Sequence, residues 1–292
     1  MKCMYPVILE KGRAVGCGRC VTCRINKRRE WTNRLVLEGS LYEDSTFVTL
    51  TFDEDNLPED LSVNKRDLQL FFKKLRYNNA QGLRYFAVGE YGSITHRPHY
   101  HALIFGFPNC FRGVTQHSKG GKPCCEVCAH IRDTWENGQV HLGEVSIQSA
   151  SYVAGYVTKG WTKDVPIPGR DPEFTVKSNR PGIGAPFAHE LADSLLRSSA
   201  THVPYSVRHS GKYWPLGRYI REKTSEYSGG LPLEKAPKNQ EVHDLSEIIY
   251  GNTEIPSFRK APALREALIQ KSYHKGKAIQ RKVEKAQKER SL

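Results

Sequence analysis

The segment "RPHYHALIFGF" (97–107) sets His99 and His101 two residues apart in a run that ends in Leu103 and Phe105. In a strand, side chains repeat with period two, so all four lie on one face. The two imidazoles are then about 7 Å apart along the chain. Two histidines at the mouth of an apolar core are costly to bury without partners, and a metal ion would satisfy both. "VGEYG" (88–92) offers a third ligand. Glu90 ends the strand that pairs with the histidine strand through the intervening turn, which brings its carboxylate to the same end of the sheet. Two neutral imidazoles and one carboxylate leave coordination positions open, as a catalytic ion requires. Such mixed N/O donors suit Mg, Mn or Zn. His96, in the turn, and His141, on another expected strand, read as solvent-facing or structural.

A second chemical signal is "SYVAGYVTKG" (151–160). On a helix with Tyr152 at zero, Tyr156 falls near 40° and Lys159 near −20°, so the three share a face. Ala150, Val153, Ala154, Val157 and Trp161 occupy roughly 100–200° and form the apolar stripe. The packing of such a helix needs neither phenol. The tyrosines therefore either edge the core or point at a reactant.

The eight cysteines fall in two clusters, a pattern that in a reducing compartment favours metal over disulfides. "CGRCVTCR" places Cys17, Cys20 and Cys23 at successive C-x2-C spacing, and Cys3 completes four thiolates suited to structural Zn. The second cluster holds Cys110, Cys124, Cys125 and Cys128 with His117 and His130. Cys125 and Cys128 supply C-x2-C, and Cys110 with either His130 or Cys124 finishes a site.

Several elements must position these residues. "RINKRREWTNRLVLEGSLY" (24–42) reads as a basic helix, "STFVTLTF" (45–52) as a strand and "NKRDLQLFFKKLRYNN" (64–79) as a helix. Strands follow at 83–90 and 99–106, then the cysteine-rich insert at 109–130, a strand at 139–146 and the tyrosine helix. Strands with helices segregated from them predict an α+β fold, a central antiparallel sheet with helices packed on it. The expected divisions are a Cys-rich segment at 1–24, a core at 25–165 that includes the insert, a loop-rich accessory region at 166–258 and a basic tail at 259–292.

The chain of 292 residues carries a formal charge of +13. That excess points to a polyanionic partner, nucleic acid above all. From Arg259 onward there are eleven Lys/Arg and three Glu, so most of the excess lies in the tail, which reads as a solvated helix, a disordered arm or a nucleic-acid-binding element. No apolar run approaches the ~20 residues of a membrane span, and no signal peptide opens the chain, so a cytosolic protein without membrane attachment is expected.

In order, "FVTLTF", "RPHYHALIFG" with its His-hydrophobic-His core and "YVAGYVTK" resemble the motifs of HUH endonucleases. The paired tyrosines, with "CMYP", "CGRCVTCR…REW" and "RPGIG", are similar to the replication initiation proteins of gokushovirus-like microvirus phages. The resemblance covers roughly 3–184, with a weaker echo in "GRYIREK" (217–223). It implies a Rep-type nickase fold and tyrosine attack on a phosphodiester of single-stranded or supercoiled origin DNA. It also implies a divalent ion, Mg or Mn, held by His99, His101 and Glu90, and a 5′-phosphotyrosine on Tyr152 or Tyr156. Lys159 would favour the phenolate or hold a phosphate oxygen. The free 3′ hydroxyl would prime a host polymerase working with a host replication helicase in the bacterial cytoplasm. The competing reading is a zinc-dependent nucleic-acid-binding regulator without catalytic activity.

Overall fold

The computed structural model describes residues 3–8, 14–77, 82–110, 112, 115–117, 122–157, 168–209, 211–234 and 262–289. Its chain divides into two compact units, one of Met1–Lys27 with Lys235–Leu292 and one of Arg28–Glu234.

In the larger unit, six strands form one sheet, joined antiparallel throughout: β3 (Ser45–Thr51), β4 (Arg84–Tyr91), β5 (Pro98–Phe105), β6 (Thr115–His117), β7 (Val140–Glu144) and β8 (Phe174–Lys177). Their spatial order is β6-β7-β3-β5-β4-β8. The α+β class expected from the sequence is the class observed.

β-branched and aromatic residues dominate the central strands, and their alternation sorts the sheet into two faces. One face carries Val48, Leu50, Ala87, Tyr100, Ala102 and Ile104. Over it pack α2 (Lys65–Tyr77), through Leu68, Phe71, Phe72 and Leu75, and α3 (Glu126–Trp135), through Ile131 and Trp135. The other face carries Phe86, Val88, Leu103 and Phe105 against Trp31 and Leu35 of α1 (Val21–Gly39) and Ala150, Val153 and Ala154 of α4 (Ile147–Gly155). Period two thus sends Tyr100, which sits between the histidines, to the opposite layer from both. Its hydroxyl there donates to Asp67 Oδ2 at 2.6 Å and ties β5 to the start of α2.

The sixth strand comes from the stretch that the sequence pattern reads as loop-rich. Phe174 of β8 lies where a Cβ on Gly89 would come within 2.8 Å of its ring, so only glycine at 89 lets the edge strand close. The same stretch adds α5 (Ala185–Arg197), the hairpin β9 (Ser206–His209) with β10 (Lys212–Pro215), and α6 (Gly217–Tyr227).

The "RPGIG" segment is fastened to α1. Arg34 Nη2 and Nε donate to Ile183 O at 2.7 and 3.0 Å, and its guanidinium lies 4.0 Å from the rings of both Trp31 and Tyr219. The buried Glu38 pairs with Arg84 and accepts Gly184 N–H. Tyr219 belongs to "GRYIREK", so the two segments singled out in the sequence meet at Gly182, where a Cβ would strike the Tyr219 hydroxyl.

In the smaller unit, β1 (Val7–Ile8) pairs with β2 (Ala14–Val15), and the basic tail forms α7 (Pro262–Lys288). This helix has a packed side: Tyr273 lies against Tyr5 with ring centroids 5.9 Å apart, Gly276 abuts Met4, and Leu264 is buried. Its far end, including Arg281, Lys282 and Lys285, is exposed.

Candidate active site

Sheet register brings the expected ligands together. Glu90 is directly opposite His99 across β4 and β5, and His101 is opposite Thr49 across β5 and β3. All three side chains emerge on the α1/α4 face, just beyond Leu103 and Phe105. The imidazoles lean inward, with ring centroids 5.0 Å apart. One ligand atom from each of Glu90, His99 and His101 lies within 4.8 Å of the others.

The proton inventory of this group points to a cation. His99 Nδ1 is 3.1 Å from Arg97 O, a carbonyl that can only accept. His99 therefore carries its proton on Nδ1, and in the neutral ring Nε2 presents a lone pair. That Nε2 faces Glu90 Oε1 at 2.7 Å. His101 Nε2 faces the same oxygen at 2.9 Å, while its Nδ1 pairs with Thr49 Oγ1 at 2.8 Å. Imidazoles that ligate metals are fixed in this way, with the far nitrogen hydrogen-bonded and the near one left free. Glu90 is 3% exposed, and its second oxygen, Oε2, is buried without a hydrogen-bond partner. A buried carboxylate with one orphaned oxygen and two imidazole nitrogens converging on it fits a divalent ion.

Burial alone would push the Glu90 carboxyl up, but the bonds from His101 and His99 more than offset it and hold the group at about 2. His101 is pulled below its ordinary value by burial, against the opposing pull of Glu90. The site therefore presents an ionised carboxylate. Phe47 stacks on His101 at 5.6 Å and 9° between planes, which locks the ring.

The tyrosines arrive from α4. Ser146 caps this helix through a reciprocal capping box with Ser149, and Arg28 Nε donates to Ser151 O at 2.7 Å near its other end. Ala150, Val153 and Ala154 are fully buried, so the face bearing Tyr152 turns toward the ligands. The Tyr152 hydroxyl donates to Glu90 Oε1 at 2.7 Å and lies 3.3 Å from His101 Nε2. Tyr156 donates to the Tyr152 hydroxyl at 3.2 Å and stands one step further from the group. Burial, and then the Glu90 charge, raise the Tyr152 phenol above its usual range, so it is neutral as it stands.

The helix expected to run through residue 160 ends at Gly155, with Tyr156 as its C-cap. Val157 still packs on the core, whereas Lys159 and Trp161 lie outside the described residues. His96 sits in the turn with a left-handed φ of 52°. His141 is opposite Thr49 on β7 and is not one of the three converging ligands. Sequence reasoning missed Thr49 and the Arg97 carbonyl, the two groups that set the imidazole protons. The alternation of "STFVTLTF" placed Thr49 on the histidine face, which was the available signal.

Both cysteine clusters assemble into groups that could bind a metal. Cys3, Cys17, Cys20 and Cys23 form one, and Cys110, Cys124, Cys125 and Cys128 form the other. The place offered to His130 is filled by Cys124. His130 instead packs edge-on against Phe107 at 5.6 Å, with Nε2 buried and without a hydrogen-bond partner. It sits five residues past Cys125, more than a helical turn into α3, while Cys124 directly precedes that helix's N-cap.

A family model for replication-associated proteins of the ORF2 type matches residues 45–161, a span that holds Glu90, both histidines and both tyrosines. The chain is 36% identical over 276 residues to the replication-associated protein VP4 of Bdellovibrio phage phiMH2K, with 84% of each chain covered. It is 31% identical over 159 residues to the replication-associated protein ORF2 of Spiroplasma virus 4, covering 50% of this chain and 48% of that one. It is 26% identical over 150 residues to the replication-associated protein ORF4 of Chlamydia phage 1, covering 49% and 37%. No solved structure matches the chain.

Proposed function

This chain belongs to the family of phage replication-associated proteins, and from that premise we propose that it initiates rolling-circle replication as an HUH-type nickase. It cuts one strand of single-stranded or supercoiled origin DNA and keeps the 5′ end as a phosphotyrosine. The observation that carries this reading is the Tyr152 hydroxyl, 2.7 Å from the carboxylate and 3.3 Å from the imidazole of a three-ligand metal group.

Glu90, His99 and His101 would hold Mg2+ or Mn2+, which when bound polarises the scissile phosphate and offsets its developing charge. The protein's own residues do the rest. Thr49 and the Arg97 carbonyl keep both imidazoles in the lone-pair-forward tautomer. Glu90 Oε1 orients the phenol; with its carboxyl held at about 2 it accepts the hydrogen bond and does not store the proton, which passes to solvent. The Oη–P bond forms as the P–O3′ bond breaks, and the 3′ oxygen takes up a proton to become the hydroxyl that primes a host polymerase. Tyr156, on the same helix and bonded to Tyr152, supplies the nucleophile for a second cut at the regenerated origin. The newly released 3′ hydroxyl then attacks the first phosphotyrosine and closes a circle. Lys159 is assigned to a phosphate oxygen or the phenolate, and the exposed basic end of α7 to the DNA backbone. A host helicase and the cytoplasm of the bacterial host complete the setting; among the described residues no helix is long and apolar enough to cross a membrane.

The test is incubation with circular single-stranded origin DNA and Mg2+ or Mn2+, followed by a denaturing gel. Protein covalently attached to a 5′ end is the expected result. Binding without any adduct would leave the zinc-dependent regulator as the better reading.

A further inference from the structure

We propose that the two cysteine quartets are two separate tetrathiolate Zn2+ sites, Cys3/Cys17/Cys20/Cys23 in the smaller unit and Cys110/Cys124/Cys125/Cys128 in the larger. They are independent of the ion in the nicking centre. Sulfur separations are the first observation. A tetrahedron with Zn–S bonds of about 2.3 Å has edges of about 3.8 Å. In the second quartet the separations are 3.5 Å for Cys110–Cys124, 3.6 Å for Cys124–Cys128, and 4.0 Å for both Cys124–Cys125 and Cys110–Cys125. In the first, Cys3 and Cys20 are 3.7 Å apart. Every sulfur in each quartet lies within 4.8 Å of the other three. A disulfide needs about 2.05 Å, and all eight cysteines are free. An iron–sulfur cluster inserts its own irons and sulfides between the thiolates and so needs wider spacing. One ion at the centre of each quartet fits the edges, and four thiolates select Zn2+ over the oxygen-loving Mg2+ and Mn2+.

Surroundings made for anionic sulfur are the second observation. In the first quartet, Cys3 Sγ accepts N–H from Tyr5 at 3.3 Å and Cys17 at 3.2 Å; Cys20 Sγ accepts from Met4 at 3.5 Å, and Cys17 Sγ from Cys20 at 3.4 Å. Gly18, with φ 80°, makes the turn between Cys17 and Cys20. A Cβ on Gly16 would come within 2.9 Å of Cys23 Sγ, so the backbone has been brought hard against the cluster. In the second quartet, Cys110 Sγ accepts Arg112 N–H at 3.4 Å, and Cys110 and Cys128 are buried.

The second site has a structural consequence. Cys125 and Cys128 lie at the start of α3, and Trp135 closes the same helix by donating Nε1–H to Thr51 O at 2.9 Å, on the strand next to His99. Holding α3 at its first turn therefore holds the layer beneath the end of β3.

The experiment uses the full chain carrying His99→Ala and His101→Ala, so that the nicking centre contributes no metal, with metal content measured after chelator-free purification. About two zinc ions per chain are expected, with all eight cysteines resisting alkylation until a thiol-displacing reagent releases the metal. Cys124→Ser or Cys3→Ser each removes one equivalent, and His130→Ala removes none. Should these variants fail to fold, the wild-type chain grown in Co2+ gives the same answer through intense sulfur-to-cobalt charge-transfer absorption from two sites. Eight freely alkylated cysteines without zinc would overturn the proposal. One zinc with one quartet alkylated would overturn it for that quartet, and zinc retained by Cys124→Ser but lost by His130→Ala would overturn the ligand set.

Discussion

The Glu90–His99–His101 group and the Cys110–Cys128 quartet lie in one unit and are built in opposite ways. The first stands on β4 and β5, where register leaves no freedom: Glu90 opposes His99, and period two aligns His101 with it. The second gathers Cys110 after a strand, Cys124 and Cys125 before a helix, and Cys128 in its first turn. A site on strands is positioned by the fold and uses its ion for chemistry. A site on loops needs its ion to become a structure at all.

That contrast yields expectations in order of size. His99→Ala with His101→Ala should reduce strand cleavage by on the order of a thousandfold or more, yet move the thermal midpoint by under about 4 °C, because backbone pairing holds β5. A calorimetric scan beside a cleavage time course reads both, and an unfolded double variant would make the histidines structural. Cys128→Ser should do the reverse, lowering stability by roughly 3 kcal/mol or more while cleavage per folded molecule changes little. A variant of Cys128 as stable as wild type would end the contrast.

Within the nicking centre, Tyr152→Phe and Tyr156→Phe should each keep one cut and fail to release closed circles, since one attacking oxygen is missing while the ring and its packing remain. Tyr152→Phe should slow the first cut more, because only Tyr152 reaches Glu90 directly. Full cutting and closure by either single variant would return that tyrosine to a packing role. Thr49→Val keeps shape but frees His101 Nδ1, and should weaken metal binding by about tenfold; titration calorimetry with Mn2+ measures it. The smallest effect belongs to α7. Replacing Arg281, Lys282 and Lys285 with alanine should lower the salt slope of DNA binding by about one unit per lost contact, and an unchanged slope would assign this end to another partner.

The same contrast explains what could be read from the sequence. Strands expected at 45–52, 83–90 and 99–106 are observed at Ser45–Thr51, Arg84–Tyr91 and Pro98–Phe105, because alternation marks them directly. The metal group followed from them. The start of α4 at Ile147 was set by Ser146 and Ser149, a local signal overshadowed by the tyrosine spacing. β8 is four residues long and depends on Gly89 in a distant strand, so nothing local marks it as part of the sheet. Spacing also left Cys124 and His130 as alternatives, since which of two neighbours turns inward is decided by tertiary packing around the start of α3.

The central claim is that Tyr152 and the strand-borne metal group form one reacting centre. Its most direct measurement is tandem mass spectrometry of the peptide–oligonucleotide adduct formed from a short origin substrate in Mn2+. A 5′-phosphoryl group on Tyr152, with a lesser amount on Tyr156 and none in the His99→Ala, His101→Ala chain, is the predicted result. A phosphoryl group on any other residue, or an adduct that forms equally well without the two histidines, would contradict it.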